Sequence, residues 1–517
     1  MLVLTSLLPG DYALNYNFEA QLFGVFSDNR LDLAEPYIAT LGQALELGKW
    51  RAGMKLWHSG SFGHVAGQDV SGFHAMEQTS PDGKSPVPAG YKGLELPIHL
   101  SPWPHVWFAS DWGQKSAAAF AAKPFIDYFE HSGNVTFLRQ SCFPYVREAA
   151  RFYASYCTKT GDVYHVLHSC ANEGCMAAGQ TASKINGSSD TIMDLGFARM
   201  VLRAAVRYSS LLGADTAEQT QWQDILTHLA PYAVSVDETG AAVFASSAGV
   251  NDSFPIKSRC HSNWSKHNAS GFFKAGLPKS EMDTSGCANA RYPIVYFNAV
   301  FPSENVDLTA APDTLDIARR TIAEVNELTS WSPTNGLCLA WPPASRVVTA
   351  SGAPQLLDRF ETALNLTMMP NFVPFIWNRP GSGSGCTTEQ AGATKAINDL
   401  LASVHGHVEN SSIRLFPGGW PSGERVSFLT LRLRGAFLLS ASAEGAAGGG
   451  PPRLLSCEVT SLSGMLLRLH WPRPKPPLVT RGSGSGSAVA TAHDLARRTY
   501  SWNTTAGATY KISEAST

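Results

Sequence analysis

Residues 390–416 read QAGATKAINDLLASVHGHVENSSIRLF, and the spacing of apolar residues changes within this stretch. Its first part places apolar side chains three and four residues apart, which predicts a helix from about Gln390 to Val404. Its second part contains a short β-like run from Ile413 to Phe416. The stretch therefore predicts a mainly helical domain over residues 1–410 and a separate β-domain over residues 411–517.

The helical spacing recurs towards the N-terminus. A Pro312-Asp313 pair gives a start signal for one of these helices. The residues expected on buried helix faces are Phe143, Val146, Ala149, Ala150 and Tyr153; Ile192, Leu195, Met200, Leu202 and Val206; and Leu315, Ile317, Ala318, Ile322, Val325 and Leu328. Two intervening stretches, residues 59–104 and 246–293, are rich in Gly, Pro, His or Trp. In a toroid of paired helices, such loops build the substrate face.

Past residue 411 the sequence predicts short strands separated by turn residues. The expected strands are Ile413–Phe416, Val426–Leu433, Gly435–Ser442, Leu454–Leu462 and Met465–Leu469. Near the C-terminus, Thr499–Trp502 and Thr509–Ile512 flank a Gly-containing turn and are expected to form a closing strand pair.

Composition narrows the class of protein. Charged residues make up 16% of the 517 residues and the net charge is −2. These values lack the basic excess of a nucleic-acid-binding protein. The apolar run Leu2–Leu8 is too short for a membrane span or a signal peptide. The nine cysteines contain no paired CxxC motif, so we expect no metal and no other cofactor.

Eight Asn-X-Ser/Thr sequons favour a secretory or lysosome-like location, with the cytoplasm as the alternative. The sequons are Asn134, Asn186, Asn251, Asn263, Asn268, Asn365, Asn410 and Asn503. Since no signal peptide is visible, we expect the chain to be N-terminally incomplete.

Three polar motifs are candidates for chemistry. In GDYALNYNFE, residues 10–19, Asn15 and Asn17 would point the same way from an extended segment and could hold a water molecule. An amide cannot accept the proton of that water, so a carboxylate must supply the basicity. The alternative is a turn with Asx hydrogen bonds.

The other two motifs each carry a glutamate. Glu173 lies in a loop bracketed by Cys170 and Cys175 and is a candidate general acid, because burial would keep its carboxyl protonated. Its alternative role is that of a surface residue. Glu389 stands at the start of the helix quoted above, where it could act as a base or simply match the helix dipole.

At these motifs the chain resembles glycoside hydrolase family 95, the α-L-fucosidase and α-L-galactosidase family of (α/α)6 barrels. The Asn15 and Asn17 pair is similar to the family's Asn-X-Asn element, and residues 170–174 are similar to its Ser-Pro-Glu-Asn acid loop. Three ordered blocks also resemble the family's last barrel helix and the entry to its β-domain. These blocks are Gly392–Leu401, Ile413–Pro417 and Leu431–Phe437.

The resemblance implies an (α/α)6 barrel followed by an antiparallel β-sandwich, and a glycosidase that releases α-L-fucose or α-L-galactose with inversion. It implies Glu173 as the acid, with Asn15 and Asn17 positioning water and Glu389 as the base. By loop placement, the sugar subsite is expected to contain Trp103, His105, Trp107 and Trp112. The partner is an oligosaccharide or glycan, with no nucleic acid and no membrane.

Three departures from the family pattern leave rival functions open. Thr388 stands where the family has the aspartate that acts as catalytic base, and Ala13 stands where the family has a histidine. The family's N-terminal β-domain has no counterpart in this sequence. The first rival is a hydrolase or lyase of another sugar on the same barrel. The second is a catalytically inactive carbohydrate-binding homologue.

Overall fold

A computed structural model describes residues 12–53, 90–100, 114–167, 169, 189–214, 216–237, 239–248, 294–328, 336–368, 387–407, 410–482 and 486–515. Within these ranges the α-helices are α1 (Asn17–Ala20), α2 (Glu35–Gln43), α3 (Leu45–Gly53), α4 (Ala117–Ala121), α5 (Lys123–Ser132), α6 (Val135–Phe137), α7 (Phe143–Tyr156), α8 (Ile192–Leu212), α9 (Thr216–His228), α10 (Ile294–Phe297), α11 (Pro312–Leu328), α12 (Gly336–Leu339), α13 (Trp341–Arg346), α14 (Ala353–Thr367) and α15 (Thr387–Leu401). Short antiparallel pairs join β1 (Tyr12–Ala13) to β2 (His99–Leu100), β3 (Thr158–Thr160) to β4 (Val163–His165), and β5 (Val234–Val236) to β6 (Ala242–Phe244).

The apolar stripes predicted from the sequence explain the long helices. Every residue of the stripe predicted on α7 is buried, and α11 begins at Pro312 as its start signal predicts. Helix α8 is closed at both ends by local chemistry. The Thr191 hydroxyl oxygen accepts a 3.0 Å hydrogen bond from the Asp194 N–H, and Gly213 ends the helix in the left-handed region at φ 64°.

The first and last parts of the helical region pack together. A Cβ placed on Gly24 would lie 2.8 Å from Cγ2 of Thr394 on α15, so the backbone after α1 approaches that helix closely. One turn further along α15, the Asn398 amide donates to Ser27 Oγ at 2.9 Å and to Asp28 Oδ1 at 2.7 Å. These contacts join segments about 370 residues apart in sequence, and the described residues of the helical region share an apolar core.

Helix α15 ends at Leu401, and the chain passes directly into β7 (Ala402–His405), whose four residues are buried. The predicted extension of the helix to Val404 is therefore wrong, because residues 402–405 pair with residues 412–415. The β-rich region consequently begins at Ala402, before the boundary at 411 expected from the sequence.

Two sheets form the β-rich region and share one apolar core. The strands that follow β7 are β8 (Ser412–Leu415), β9 (Arg425–Leu433), β10 (Phe437–Glu444), β11 (Arg453–Ser461), β12 (Leu466–His470), β13 (Pro477–Arg481), β14 (Ser487–Ala488), β15 (Ala492–Asp494), β16 (Thr499–Asn503) and β17 (Thr509–Glu514). One sheet has the order β14-β13-β17-β11-β10-β9 and the other β15-β16-β12-β8-β7. All pairs are antiparallel except β8 with β12, so the second sheet is mixed.

The expected closing pair near the C-terminus is wrong. Strand β16 pairs with β12 and β15 in one sheet, whereas β17 pairs with β11 and β13 in the other. Trp502 and Tyr510 enter the shared core from the two sheets, with ring centroids 6.3 Å apart. Burying both aromatic rings requires the chain to cross between the sheets instead of forming a hairpin.

Buried charges connect the helical and β-rich regions. Arg346 on α13 is 2% exposed, and its guanidinium lies 3.7 Å from carboxylates of both Glu304 and Asp399 and 3.9 Å from Asp307. The same guanidinium donates to the carbonyl oxygen of Val404 on β7 at 3.2 Å. Desolvated charges require such partners, so this network fixes the β-rich region against the helical region.

Candidate active site

The N-terminal motif is held at its base by the β1–β2 pair. Ala13 is paired with His99, and the Leu14 N–H donates 2.7 Å to the carbonyl oxygen of Ile98. The strand then ends, Asn15 lies in a turn, and Asn17 is the first residue of α1. The predicted extended segment carrying both asparagines is therefore wrong. Both side chains remain half-buried, in the turn and at the helix start.

Glu19, two residues beyond Asn17, is a buried carboxyl group that the sequence reasoning did not assign. Its Oε1 accepts a 3.0 Å hydrogen bond from the Tyr37 hydroxyl, and Oε2 has no partner among the described residues. Burial raises the pKa of Glu19 to about 8, against smaller lowering by its hydrogen bonds. The group is consequently a neutral acid near pH 7. A glutamate between apolar neighbours, Phe18 and Ala20, was the signal available in the sequence.

Glu389 lies in the first turn of α15 and is 2% exposed. Its Oε2 accepts a 2.7 Å hydrogen bond from the Leu337 N–H in the first turn of α12. Burial raises the pKa of Glu389 to about 8, with backbone hydrogen bonds from Leu337 and Cys338 opposing the rise. The adjacent Thr388 is also buried, and its carbonyl oxygen accepts from the Cys338 thiol.

Gly392 permits this close approach of α12 to α15. A Cβ on Gly392 would lie 2.7 Å from the Leu337 carbonyl oxygen and 2.8 Å from the Cys338 nitrogen. Real Cβ atoms do not approach backbone atoms so closely, so only glycine allows the two helices to reach hydrogen-bonding distance at Glu389.

The described residues that precede and follow Glu173 in sequence are hydrogen-bonded to each other. The Asp190 N–H donates a 2.8 Å hydrogen bond to the Val166 carbonyl oxygen, and the Val166 N–H donates a 2.9 Å hydrogen bond to Asp190 Oδ1. His165 Nδ1 lies 2.6 Å from Asp190 Oδ2. Residues 165, 166 and 190 thus lie side by side just before α8 begins.

Asp194, in the first turn of α8, is fully buried beside that point. It accepts a 2.6 Å hydrogen bond from the Thr191 hydroxyl, and Tyr153 Oη lies 3.5 Å from Oδ1. Burial raises the pKa of Asp194 to about 6, against lowering by hydrogen bonds from Ser169 and Thr191 and by the charge of Lys115.

The predicted site residues divide into two groups. Asn15, Asn17 and Glu389 are described, and the packing of the segment after α1 on α15 brings their two elements side by side. Glu173 and the predicted subsite residues Trp103, His105, Trp107 and Trp112 lie outside the described residues.

Within the described ranges, no group of three or more His, Cys, Asp or Glu residues is arranged to hold a metal ion. The same ranges include no helix with the length and apolarity needed to cross a membrane.

In the comparison with known families, residues 9–241 match the model of a glycoside hydrolase catalytic domain. The family is glycosyl hydrolase family 95, and the match confirms the resemblance read from the sequence motifs. The matched range contains Asn15, Asn17, Glu19 and Glu173. Residues 9–241 are therefore similar to the catalytic domain of a glycosidase family, and further helices and the β-rich region follow them in the chain.

Solved structures similar to this chain include a protein described as a kojibiose phosphorylase from the human microbiome, with 12% identity, 73% of this chain and 51% of that chain covered, and a TM-score of 0.40. The α-L-rhamnosidase of Streptomyces avermitilis, solved with L-rhamnose, is 12% identical, and the match covers 79% of this chain and 33% of that chain with a TM-score of 0.35. The α-L-rhamnosidase of Dictyoglomus thermophilum is 10% identical, and the match covers 79% of this chain and 41% of that chain with a TM-score of 0.31. The chain spans about half the length of these structures or less. No curated protein matches it.

Proposed function

We propose that this protein is a glycoside hydrolase that releases terminal α-L-fucose or α-L-galactose from oligosaccharides or glycans with inversion. The observation that carries the proposal is the family 95 match over residues 9–241, which includes the Asn15 and Asn17 motif. The packing of the segment that follows this motif against the helix bearing Glu389 supports a site shared by the two elements.

In the proposed reaction, Glu173 donates its proton to the glycosidic oxygen as the bond to the anomeric carbon breaks. Asn15 and Asn17 hold a water molecule on the opposite face of the sugar ring, and Glu389 accepts its proton as the water oxygen bonds to that carbon. An inverting site of this kind requires acid and base carboxyls roughly 6.5 to 9.5 Å apart, whereas about 5 Å would fit a retaining enzyme.

Glu389 can act as the base only when it is ionised. Its pKa of about 8 means that most molecules carry the neutral acid at pH 7. The proposed enzyme should therefore show a value of kcat/KM that rises tenfold per pH unit below about pH 8 and then levels off. A profile without this rising limb, in an active enzyme, would exclude Glu389 as the base.

A catalytically inactive carbohydrate-binding protein is the second candidate. It is favoured by Thr388, which replaces the family's basic aspartate, and by the engagement of Glu389 with the α12 backbone. A carboxyl group that satisfies an N–H of a neighbouring helix has a sufficient structural role without catalysis. A hydrolase or lyase of another sugar on the same scaffold is the remaining alternative.

The deciding experiment is incubation of the full chain with a panel of p-nitrophenyl glycosides, with NMR of the anomeric proton of the released sugar. Release of L-fucose or L-galactose first as the β-anomer supports the proposal. Activity on other sugars only would support the alternative hydrolase, and elimination products would support a lyase. Glycan binding without turnover, unchanged in Glu173→Gln, would support the inactive homologue.

We also propose that the protein passes through the secretory route. Support comes from the four sequon asparagines among the described residues, Asn134, Asn365, Asn410 and Asn503, all of which are exposed. At Asn134 the amide oxygen accepts from the Phe137 N–H at 3.0 Å, leaving the amide nitrogen for a glycan. Loss of mass on treatment with an endoglycosidase tests the proposal, and an unchanged mass after expression with a secretion signal would contradict it.

The finer fold assignment is part of the same proposal: an (α/α)6 toroid followed by a β-sandwich. It is supported by the packing of the segment after α1 against α15 and by the apolar core that the two sheets share. An experimental structure of the full chain would test it by counting the helix pairs around the axis.

A further inference from the structure

A cavity of about 330 Å³ lies between the helical region and the β-rich region. Its walls come from α5, α8, β12 and the segments that follow α10 and β7. Among the described residues of the candidate active site, none lines this cavity. Met465 and Leu466 form part of its edge and are 44% and 39% exposed, so the cavity has access to solvent. This volume is in the range of small-molecule sites.

Cationic groups exceed carboxylates in the lining of this cavity. The charged lining residues are Lys123, Arg203, Arg207, Arg434 and Arg468, with Asp127, Glu130 and Glu304. Five cations against three carboxylates leave two positive charges in excess. The three carboxylates are already paired, since Asp127 lies 2.8 Å from Lys123, Glu130 contacts Arg207, and Glu304 contacts Arg434.

Arg203 on α8 is a cation of the lining that pairs with no carboxylate of the described residues. One of its N–H groups donates 3.0 Å to Oδ1 of Asn305, a neutral acceptor, and no carboxylate of the described residues lies within 4 Å. Burial lowers the pKa of Arg203 to about 10, so it remains charged at neutral pH. A guanidinium has five N–H donors in a planar fork, a geometry that matches an oxyanion.

The remaining lining suits an organic molecule that carries such an oxyanion. His407 lines the cavity and is neutral at pH 7, because burial and the charge of Arg203 lower its pKa to about 4. A neutral imidazole can donate one hydrogen bond to a ligand. Met200, Val404 and Phe437 supply apolar surface on which the carbon skeleton can pack.

We propose that this cavity binds a small organic anion of about monosaccharide size, a carboxylate or a phosphate ester, whose oxyanion bonds to Arg203. The ligand would touch both the helical and the β-rich regions, so binding would stabilise the two together. The proposal goes beyond the glycosidase function and does not depend on it.

The test is binding of sodium D-glucuronate, D-glucose and inorganic phosphate to the full chain, by calorimetry and thermal unfolding at constant ionic strength. Glucuronate carries a carboxylate on a sugar, glucose is its neutral counterpart, and phosphate is an oxyanion alone. We expect saturable binding and a raised Tm with glucuronate, phosphate or both, and no effect of glucose. Equal effects of glucose and glucuronate, or no binding of either anion, would overturn the proposal.

Matched substitutions on α8 connect any binding to this cavity. Arg203→Met should weaken anion binding about ten- to hundredfold, the loss expected for a charge-assisted hydrogen bond. Arg199→Met is the control, because Arg199 lies on the same helix, donates to the carbonyl oxygens of Leu195 and Ala230, and does not line the cavity. It should lower Tm yet keep anion binding.

Arg203→Lys retains the charge without the planar fork and should bind with intermediate affinity, which keeps the test decisive if Arg203→Met fails to fold. Anion binding that is unchanged in both Arg203 variants would overturn the assignment of the site.

Discussion

Oε2 of Glu389 accepts a 2.7 Å hydrogen bond from the N–H of Leu337. The carboxyl group near the start of α15 is thereby bonded to the first turn of α12 and withdrawn from water. This contact raises the question of whether Glu389 is a base, a structural acid or both. The protonation state of Glu389 distinguishes these roles.

The stability of the fold should decrease with pH through Glu389. Its pKa is about 8 in the folded chain and about 4.3 in an unfolded one, so the folded state binds the extra proton between these values. The stabilisation is complete below about pH 4.3 and is lost as the pH rises to about 8. Glu389→Gln keeps an oxygen that can accept from Leu337 and removes the titration.

Denaturant unfolding from pH 4.5 to 9 checks this prediction. The free energy of unfolding of Glu389→Gln minus that of the wild type should increase from pH 4.5 to pH 9, by an amount on the order of 3 to 5 kcal/mol. A constant shift between the two proteins would come from packing alone and would contradict the prediction. Glu46→Gln, at an exposed side chain on α3, is the control for the change of residue type.

Thr388→Asp should raise hydrolytic activity. Thr388 occupies the position of the aspartate that serves as base in the family it resembles, one residue before Glu389. A carboxylate there would supply proton-accepting capacity beside the proposed water site, and general base catalysis contributes roughly 100- to 10,000-fold. Because Thr388 is buried, some loss of stability will accompany the gain.

Steady-state kinetics on the best substrate of the glycoside panel measure the effect of Thr388→Asp. Thr388→Asn is the control, since it has nearly the same size as aspartate and no basicity. A folded Thr388→Asp variant no more active than Thr388→Asn would show that this position does not face the reacting sugar.

Helices α7, α8 and α11 could be predicted because each buries an apolar stripe that the local sequence already displays. The stripe from Phe143 to Tyr153 and the start at Pro312 needed no tertiary information. The end of α15 could not be predicted in this way, because residues 402–405 continue the apolar pattern and become a strand only by pairing with residues 412–415. The separation of β16 from β17 into different sheets likewise depends on the shared core.

At the candidate site, the residue types could be predicted from the sequence, but their surroundings could not. Glu389 was identified by its place at a helix start, while its bond to Leu337 depends on a helix about 50 positions earlier and on Gly392. The hydrogen bond of Glu19 likewise comes from Tyr37, which lies 18 positions later in the chain. The contacts of both carboxyl groups join residues distant in sequence, so the neighbouring residues alone do not predict them.

Glu173→Gln should lower activity in proportion to the difficulty of the leaving group. If Glu173 is the proton donor, its loss leaves the departing oxygen without a proton. Natural glycans need that proton, whereas a fluoride leaving group does not. We expect a loss of roughly 100- to 10,000-fold on a glycan and a much smaller loss on the glycosyl fluoride.

The ratio of kcat/KM for the two substrates, in wild type and in Glu173→Gln, gives the measurement. An equal loss on both substrates would assign Glu173 to sugar binding or to structure, and would contradict its role as the acid.

Gly392→Ala should destabilise the fold, because the new methyl group would meet backbone atoms. The Leu337 carbonyl oxygen and the Cys338 nitrogen lie 2.7 and 2.8 Å from the position of that carbon, and backbone atoms can yield only if α12 moves. Overpacking of this kind costs about 1 to 3 kcal/mol. Gly42→Ala in α2 is the matched control, since no atom of the described residues beyond the backbone of its own helix lies within 4 Å of the added carbon. It should stabilise the protein by about 0.5 to 1 kcal/mol through helix propensity.

Thermal and denaturant unfolding of the two variants should therefore move in opposite directions. The displacement of α12 should also lengthen the hydrogen bond from Leu337 to Glu389, which holds the carboxyl in place. If Glu389 contributes to catalysis, Gly392→Ala will lower kcat even at temperatures where the variant is fully folded, while Gly42→Ala leaves it unchanged. A Gly392→Ala variant as stable as Gly42→Ala would mean that α12 does not approach α15 as closely as the geometry requires.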